Sequence, residues 1–300
     1  MDEIQFQRPE IGDKDLIHSY FHKFPSQSCE RTFANILLWS RHYPVTFAII
    51  EDTLVFRSES DMEAFTYPAG EKENVKRALE VLKEYTEAKQ IPFVLYLITA
   101  EHFKQLEEWY PGRFEIEYER DDADYIYEVD KLATLSGKKL HAKRNHINKF
   151  KTTYSNWTYE TMSEDNLEDC FQMALKWRSE NACDEDDEKN AEMCVTLNAL
   201  RLFEELELVG GVLKIDGEIV AFAIGEPLSE DTFVVHIEKA FASIQGAYPM
   251  INQQFVEHEC MKYKYVNREE DTGSEGLRKA KLSYRPAYLI EKGIVKEKVQ

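Results

Sequence analysis

The sequence predicts an α/β protein with mixed sheets, built as two tandem copies of one domain. Three observations lead there. Each half shows a helix and a hairpin followed by helix, strand, helix and strand, with one further strand after the hairpin in the second half. Each hairpin turns at an Asp, and the two turns lie about 165 residues apart. A chain of 300 residues with 43% apolar content also has enough material for two cores.

In the first half a helical stretch from about Thr32 to His42 leads into VTFAIIEDTLVFRSES, two strands joined at Glu51-Asp52. EKENVKRALEVLKEYTEAK follows, with Val75, Leu79, Leu82 and Tyr85 on one helical face. PFVLYLITA reads as a buried strand, AEHFKQLEEWY as a short helix and RFEIEYE as a strand. The second half repeats the order. A helix around Ala191 to Leu206 precedes GGVLKIDGEIVAFAIGEP, whose Asp216-Gly217 is a strong hairpin signal. DTFVVHIEKA is the next strand, FASIQGAYP a loop, and a helix runs to about Cys260. YKYVN reads as a strand, EGLRKAKLSY as a helix and PAYLIEKGI as the last strand. The charged stretch Asp121 to Asp124 marks the boundary, giving domains 1–122, expected to be structural, and 123–300, expected to hold the cleft.

Charge narrows the function classes. A net charge of −19 disfavours general attraction to nucleic acid or anionic lipid, so a polyanion would have to bind locally. From Lys131 to Tyr159, however, there are seven lysines and arginines and no carboxylate. Ser136 is the expected N-cap of a helix there, with Leu140, Ile147, Phe150 and Tyr154 near one face. Two uses fit such a helix: pairing with acidic groups elsewhere in the protein, or receiving phosphates. The apolar runs are too short for a membrane span of roughly 20 residues. The acidic start MDEIQFQ has no apolar signal region, and a cytoplasmic protein is expected. Five scattered cysteines without a CxxC pair suit buried thiols. His141 and His146, five apart on a helix, are poorly placed to share a metal, and no metal site is expected.

The element order resembles the fold of the GCN5-related N-acetyltransferases. The stretches SGKKLHAKRNHINKF and YVNREEDTGSEGLRKAKLSYRP narrow the match. They are similar to a bacterial family related to the C-terminal catalytic domain of phosphatidylglycerol lysyltransferases, itself akin to the Fem-type aminoacyltransferases. The resemblance implies an acyl- or aminoacyltransferase, with acyl-CoA or aminoacyl-tRNA as donor and a small-molecule or peptide amine as acceptor. It places donor phosphates on the turn Gly246, Ala247, Tyr248, although the family's Gln/Arg-x-x-Gly-x-Gly/Ala signature is not met there. It also makes Asn267 a donor support and Tyr284 the acid that protonates the leaving group.

From the residues themselves, His236 and Glu238 alternate onto one strand face and are candidate bases. Arg278 and Lys281 follow the fifth strand as phosphate contacts, with Glu269 and Asp271 beside them as ligands for a cationic acceptor. Lys143 and Arg144 are the substrate-binding candidates on the basic helix. A non-catalytic module for a phosphorylated ligand or an RNA end is the rival reading, and an interaction scaffold using the acidic surface is a third.

Overall fold

A computed structural model describes residues 4–60 and 62–298, so the first three residues of the acidic start lie outside it. In chain order the helices and strands are α1 (Lys14–Lys23), α2 (Phe33–Trp39), β1 (Val45–Ile50), β2 (Thr53–Ser58), β3 (Ala64–Phe65), α3 (Lys72–Lys89), β4 (Val94–Thr99), α4 (Ala100–Trp109) and β5 (Phe114–Glu128). Then come α5 (Val129–Thr134), α6 (His141–Thr153), β6 (Trp157–Thr161), α7 (Glu164–Glu180), α8 (Asp187–Arg201), β7 (Val209–Ile215) and β8 (Glu218–Pro227). The chain ends with β9 (Thr232–Ala240), α9 (Ala247–Phe255), β10 (Tyr265–Asn267), α10 (Glu275–Ser283) and β11 (Tyr288–Glu297).

Two compact units result. The first holds 1–124, 270–274 and 289–300, the second 125–269 and 275–288. This division differs from a simple cut at 122/123, because the last strand belongs with the first unit. The first unit's leading segment ends at Asp124, within the charged stretch Asp121 to Asp124, which lies inside the continuous strand β5. Strand order is β1-β2-β3-β4-β11-β5 in the first unit and β5-β10-β9-β8-β7-β6 in the second. The shared pattern of two antiparallel pairs and one parallel pair is β1-β2-β3-β4 in the first and β7-β8-β9-β10 in the second.

Local chemistry explains the elements. Glu51 and Asp52 both take positive φ, as a two-residue hairpin between Ile50 and Thr53 requires, and Asp216-Gly217 does the same between Ile215 and Glu218. Thr32 caps α2 by accepting the Asn35 N–H at 3.3 Å. Helix α3 buries Val75, Ala78, Leu79 and Leu82 and ends at Gln90 in the left-handed region. Those side chains pack with Phe65, Leu95 and Val295 of β11, so the last strand completes the first unit's core. Ser136 does not cap the basic helix. Leu135 closes α5 at φ 48°, Gly137 takes φ 91°, and Ser136 sits in the turn between them, so α6 starts at His141. The second unit's core gathers Phe222, Ile224, Phe233, Val234, Met250, Ile251 and Phe255, all nearly inaccessible. Four of the five cysteines are buried. Among the described residues no helix is long and apolar enough to cross a membrane.

The first unit also buries an ion cluster. Lys292 Nζ lies 2.9 Å from Asp124 Oδ1, contacts Glu30, and stands 3.8 Å from Cys29 Sγ. Burial opposes its charge, but Asp124, Cys29 and Glu30 hold its pKa well above the ordinary lysine value. Cys29, Asp124 and Glu270 offer ligand atoms within 4.8 Å of one another, a grouping that the cysteine spacing does not signal. Replacing Lys292 by Met leaves Asp124 buried without its cation, which costs about 3–5 kcal/mol. A thermal melt of Lys292→Met should show a first-unit transition lowered by many degrees; an unchanged melt would show that the cluster contributes nothing.

Candidate active site

The second unit's candidate site lies where β10 stops pairing. Tyr265, Val266 and Asn267 pair with Thr232, Phe233 and Val234 of β9, whereas β9 goes on pairing with β8 as far as Ala240. The stretch from Val235 onward therefore has one side free of β10. His236 is the extra residue of a bulge, since Ile224-Gly225 of β8 face Ile237 and Val235. Such bulges re-aim side chains, and both His236 and Glu238 are partly accessible while their neighbours are buried.

Glu238 is fully engaged. Its Oε1 accepts the Asn252 amide at 2.7 Å and its Oε2 pairs with Arg268 Nη2. Arg268 follows Asn267 directly and lies with its guanidinium 4.9 Å from the Tyr284 ring and 5.7 Å from the Tyr127 ring. Arg268 Nη1 and Asn252 Oδ1 are buried and have no hydrogen-bond partner. Tyr284 is 6% exposed, and burial raises its phenol well above the ordinary value, with Arg268 pulling back. Lys143 Nζ sits 4.0 Å from the centre of the same ring. Burial, reinforced by the Arg268 charge, lowers its pKa from 10.5 to about 8.

His236 forms a second constellation. Its Nδ1 is 2.7 Å from Glu269 and its Nε2 is 2.9 Å from Glu226. Burial opposes its charge, but the bonds to the two carboxylates outweigh it and hold the pKa at about 10. His236 is thus an imidazolium near neutral pH. In that form it has no lone pair with which to take a proton, so the two carboxylates disfavour it as a base.

The remaining candidates divide. Asn267 is buried and accepts the Glu269 N–H at 2.6 Å, fixing the chain just after β10. Lys281 is 8% exposed and donates to the Arg268 carbonyl at 2.6 Å, holding that same turn. Arg278 is half-buried on α10. Asp271 is buried in the first unit, 3.3 Å from Arg120 and bonded to the Gly273 N–H, and so knits a loop there. Arg144 donates to the carbonyls of Leu135 and Gly137 and caps the turn before its helix.

The Gly246 turn is a poor anion cradle. Gly246 takes φ 87°, and a Cβ there would meet the His146 carbonyl at 2.8 Å, so α6 backbone lies against it. The Ala247 N–H is already given to Ile244 at 3.1 Å, and Pro249 in the first turn has none to give. Tyr248 is 40% exposed beside them. On α6 and the turn before it, no lysine or arginine from 138 to 151 lies within 4 Å of a carboxylate among the described residues, so internal ion pairing does not explain that part of the basic run.

Arg268, Asn252 and Glu226 were not singled out from sequence. Arg268 adjoins the flagged Asn267, and Asn252 is a polar residue at a core position of α9, so both left a faint signal. Glu226 faces His236 only across the hairpin.

The His236 pairing predicts a pH dependence. Its folded pKa, about 10, lies above the ordinary 6.5, so its contribution is complete below about 6.5 and is lost as pH rises through about 10. Urea titrations should show stability falling over that window by at most about 1.4 kcal/mol per pH unit, and His236→Gln should flatten the fall. Parallel curves for the two proteins would contradict the pairing.

Comparisons with known proteins agree with this architecture. A solved protein of unknown function from Bacteroides thetaiotaomicron is 39% identical, with 99% of this chain and 100% of that chain covered and a TM-score of 0.92. The structure of L-PGS from Bacillus licheniformis shares the fold at 14% identity and a TM-score of 0.68, covering 100% of this chain and 95% of that one. An uncharacterised protein of Mycoplasmoides gallisepticum is 25% identical over 193 residues, and the matched stretch spans 61% of that relative's length and 63% of this chain. The family model described as "Phosphatidylglycerol lysyltransferase, C-terminal" matches residues 21–295, and the chain belongs to that family.

Proposed function

We propose that the second unit transfers an activated aminoacyl or acyl group to an amine or hydroxyl acceptor, in the cleft that opens where β10 leaves β9. The observation that carries this reading is the pair of buried, unpartnered atoms, Arg268 Nη1 and Asn252 Oδ1, on either side of Glu238. Each such atom costs about 1–3 kcal/mol when left unpaired, and a substrate that completes both bonds would recover that. A donor and an acceptor atom together suit an aminoacyl group, whose carbonyl can accept from Arg268 and whose ammonium can donate to Asn252.

Lys143 and Tyr284 supply the proton transfers. With a pKa near 8, Lys143 has a neutral fraction at physiological pH that can take a proton from the attacking group. Tyr284 stays protonated, so it can give its proton to the leaving oxygen or sulfur as the carbonyl–donor bond breaks. Proton return from Lys143 to Tyr284 resets the pair. Glu238 holds Arg268 in place, and His236 does the same for the Glu269 turn.

The thin amide supply at Gly246 favours aminoacyl-tRNA over acyl-CoA as donor, because a CoA pyrophosphate needs several free amides there. The unpaired cations of α6 suit tRNA phosphates at close range, within about one Debye length of roughly 8 Å. The same turn also favours a second reading, a binding module that holds an RNA end without chemistry.

Turnover with aminoacyl-tRNA and an amine or glycerol-type acceptor separates the two. On the catalytic reading, kcat rises with pH and levels off above about 8, following Lys143. Lys143→Met and Tyr284→Phe should each lower kcat by about 10²–10⁴-fold with the fold intact. Tight tRNA binding without turnover of any donor would instead select the binding module.

A further inference from the structure

The first unit contains a cavity of about 400 Å³ at the start of α3, walled by Arg31, Tyr67, Gly70, Lys72, His102 and Lys104. That volume is in the range of small-molecule sites. By chain order it occupies in the first unit the place that the Gly246 turn has in the second. It follows the strand β3, precedes the helix α3, and that helix leads into the parallel strand β4.

Three features point to a ligand there. The half-buried Arg31 donates to the Tyr67 carbonyl at 3.1 Å, and its guanidinium lies 5.6 Å from the Phe21 ring. It has no carboxylate within 4 Å among the described residues, and burial lowers its pKa to about 10. Glu30, the carboxylate whose charge acts on it, contacts Lys292 instead, so a half-buried cation held this way would gain from an anion in the cavity. His102 stacks on Tyr67 with ring centres 4.2 Å apart, and its buried Nδ1 has no hydrogen-bond partner. Burial, then the Arg31 charge, lowers the His102 pKa to about 3, so the ring stays neutral and keeps one N–H to donate. Finally, α3 is an 18-residue helix whose first-turn amides and dipole face the same end. Gly70 lets the chain approach closely, since a Cβ would meet Thr53 Cγ2 at 2.4 Å.

We propose that the first unit binds a small phosphorylated molecule in this cavity, with the phosphate between Arg31 and the start of α3. Arg31 offers a fork of donors, the helix offers free amides, and Lys104 adds an exposed cation at the rim. Glu101 and Glu108 share that rim, and Glu108 lies 3.4 Å from Lys72. The rim is thus mixed in sign, and the phosphate belongs at the Arg31 end.

Calorimetric titration of the full chain with inorganic phosphate, glycerol 3-phosphate and adenosine 5′-monophosphate tests this. At least one should bind, and Arg31→Gln should weaken it by about tenfold or more. Lys104→Glu, at an exposed position that leaves the core untouched, should weaken it by about threefold or more. Tighter binding of adenosine monophosphate assigns the site to nucleotides, and tighter glycerol 3-phosphate assigns it to a lipid-type headgroup. Equal binding of all three assigns it to the phosphate group alone. No binding by any probe at ~10 mM, or binding that both variants leave unchanged, overturns the proposal.

Discussion

From Thr232 to Val234, β9 has strand neighbours on both sides; beyond Val234 only β8 remains beside it. The candidate site of the second unit follows from that loss of one neighbour. The freed side of β9 carries His236 on a bulge and Glu238 two residues later. The chain that leaves β10 at Asn267 delivers Arg268 directly to Glu238. A buried ion pair of this kind repays its desolvation only when the remaining donors and acceptors are also met. Asn252 meets one and the aromatic faces of Tyr127 and Tyr284 border the cation, yet two polar atoms stay unpaired. These side chains are bonded to one another around a gap in their own hydrogen bonding, as the proposed substrate site requires.

The local parts of this architecture were legible in the sequence. Both hairpins turn at the expected Asp residues, because a two-residue turn needs positive φ and the sequence supplies Asp and Gly for it. The strands VVHIEKA and YVN and the helix bearing Lys281 also stand where hydrophobic period places them. Non-local pairings were hidden. The run from Asp121 to Asp124 reads as a boundary, and the first unit's leading segment does end at Asp124, but the run lies inside one continuous strand and Asp124 is inaccessible, paired with Lys292 168 residues away. Nothing within a local window marks that partner. His236 is hydrogen-bonded to Glu226 and Glu269, 10 and 33 residues away, which favour its charged form, and no local window marks that pairing either. Helix starts were misjudged where a turn residue resembled a cap, as Ser136 did.

The basic segment has a physical reading in a chain of net charge −19. Its helix contributes Ile147 and Phe150 to the core, Lys143 to the Tyr284 site, and backbone against Gly246. Lys138, Lys139, Lys149 and Lys151 are exposed and lie more than 4 Å from any carboxylate among the described residues, whereas Lys131 pairs with Glu128. One helix therefore joins a structural role, a proposed proton-transfer role and a proposed contact for donor phosphates. Selection for all three would keep acids out of it, whereas an ordinary surface helix would mix signs.

The most direct measurement is a crystal structure of the protein soaked with a non-hydrolysable aminoacyl-adenosine analogue. The account predicts the aminoacyl group in the second unit, its carbonyl on Arg268, its ammonium on Asn252, and the ester-like linkage beside Tyr284 and Lys143. Ligand density away from these residues, or an Arg268 that completes its bonds with protein groups while the analogue is excluded, would contradict it.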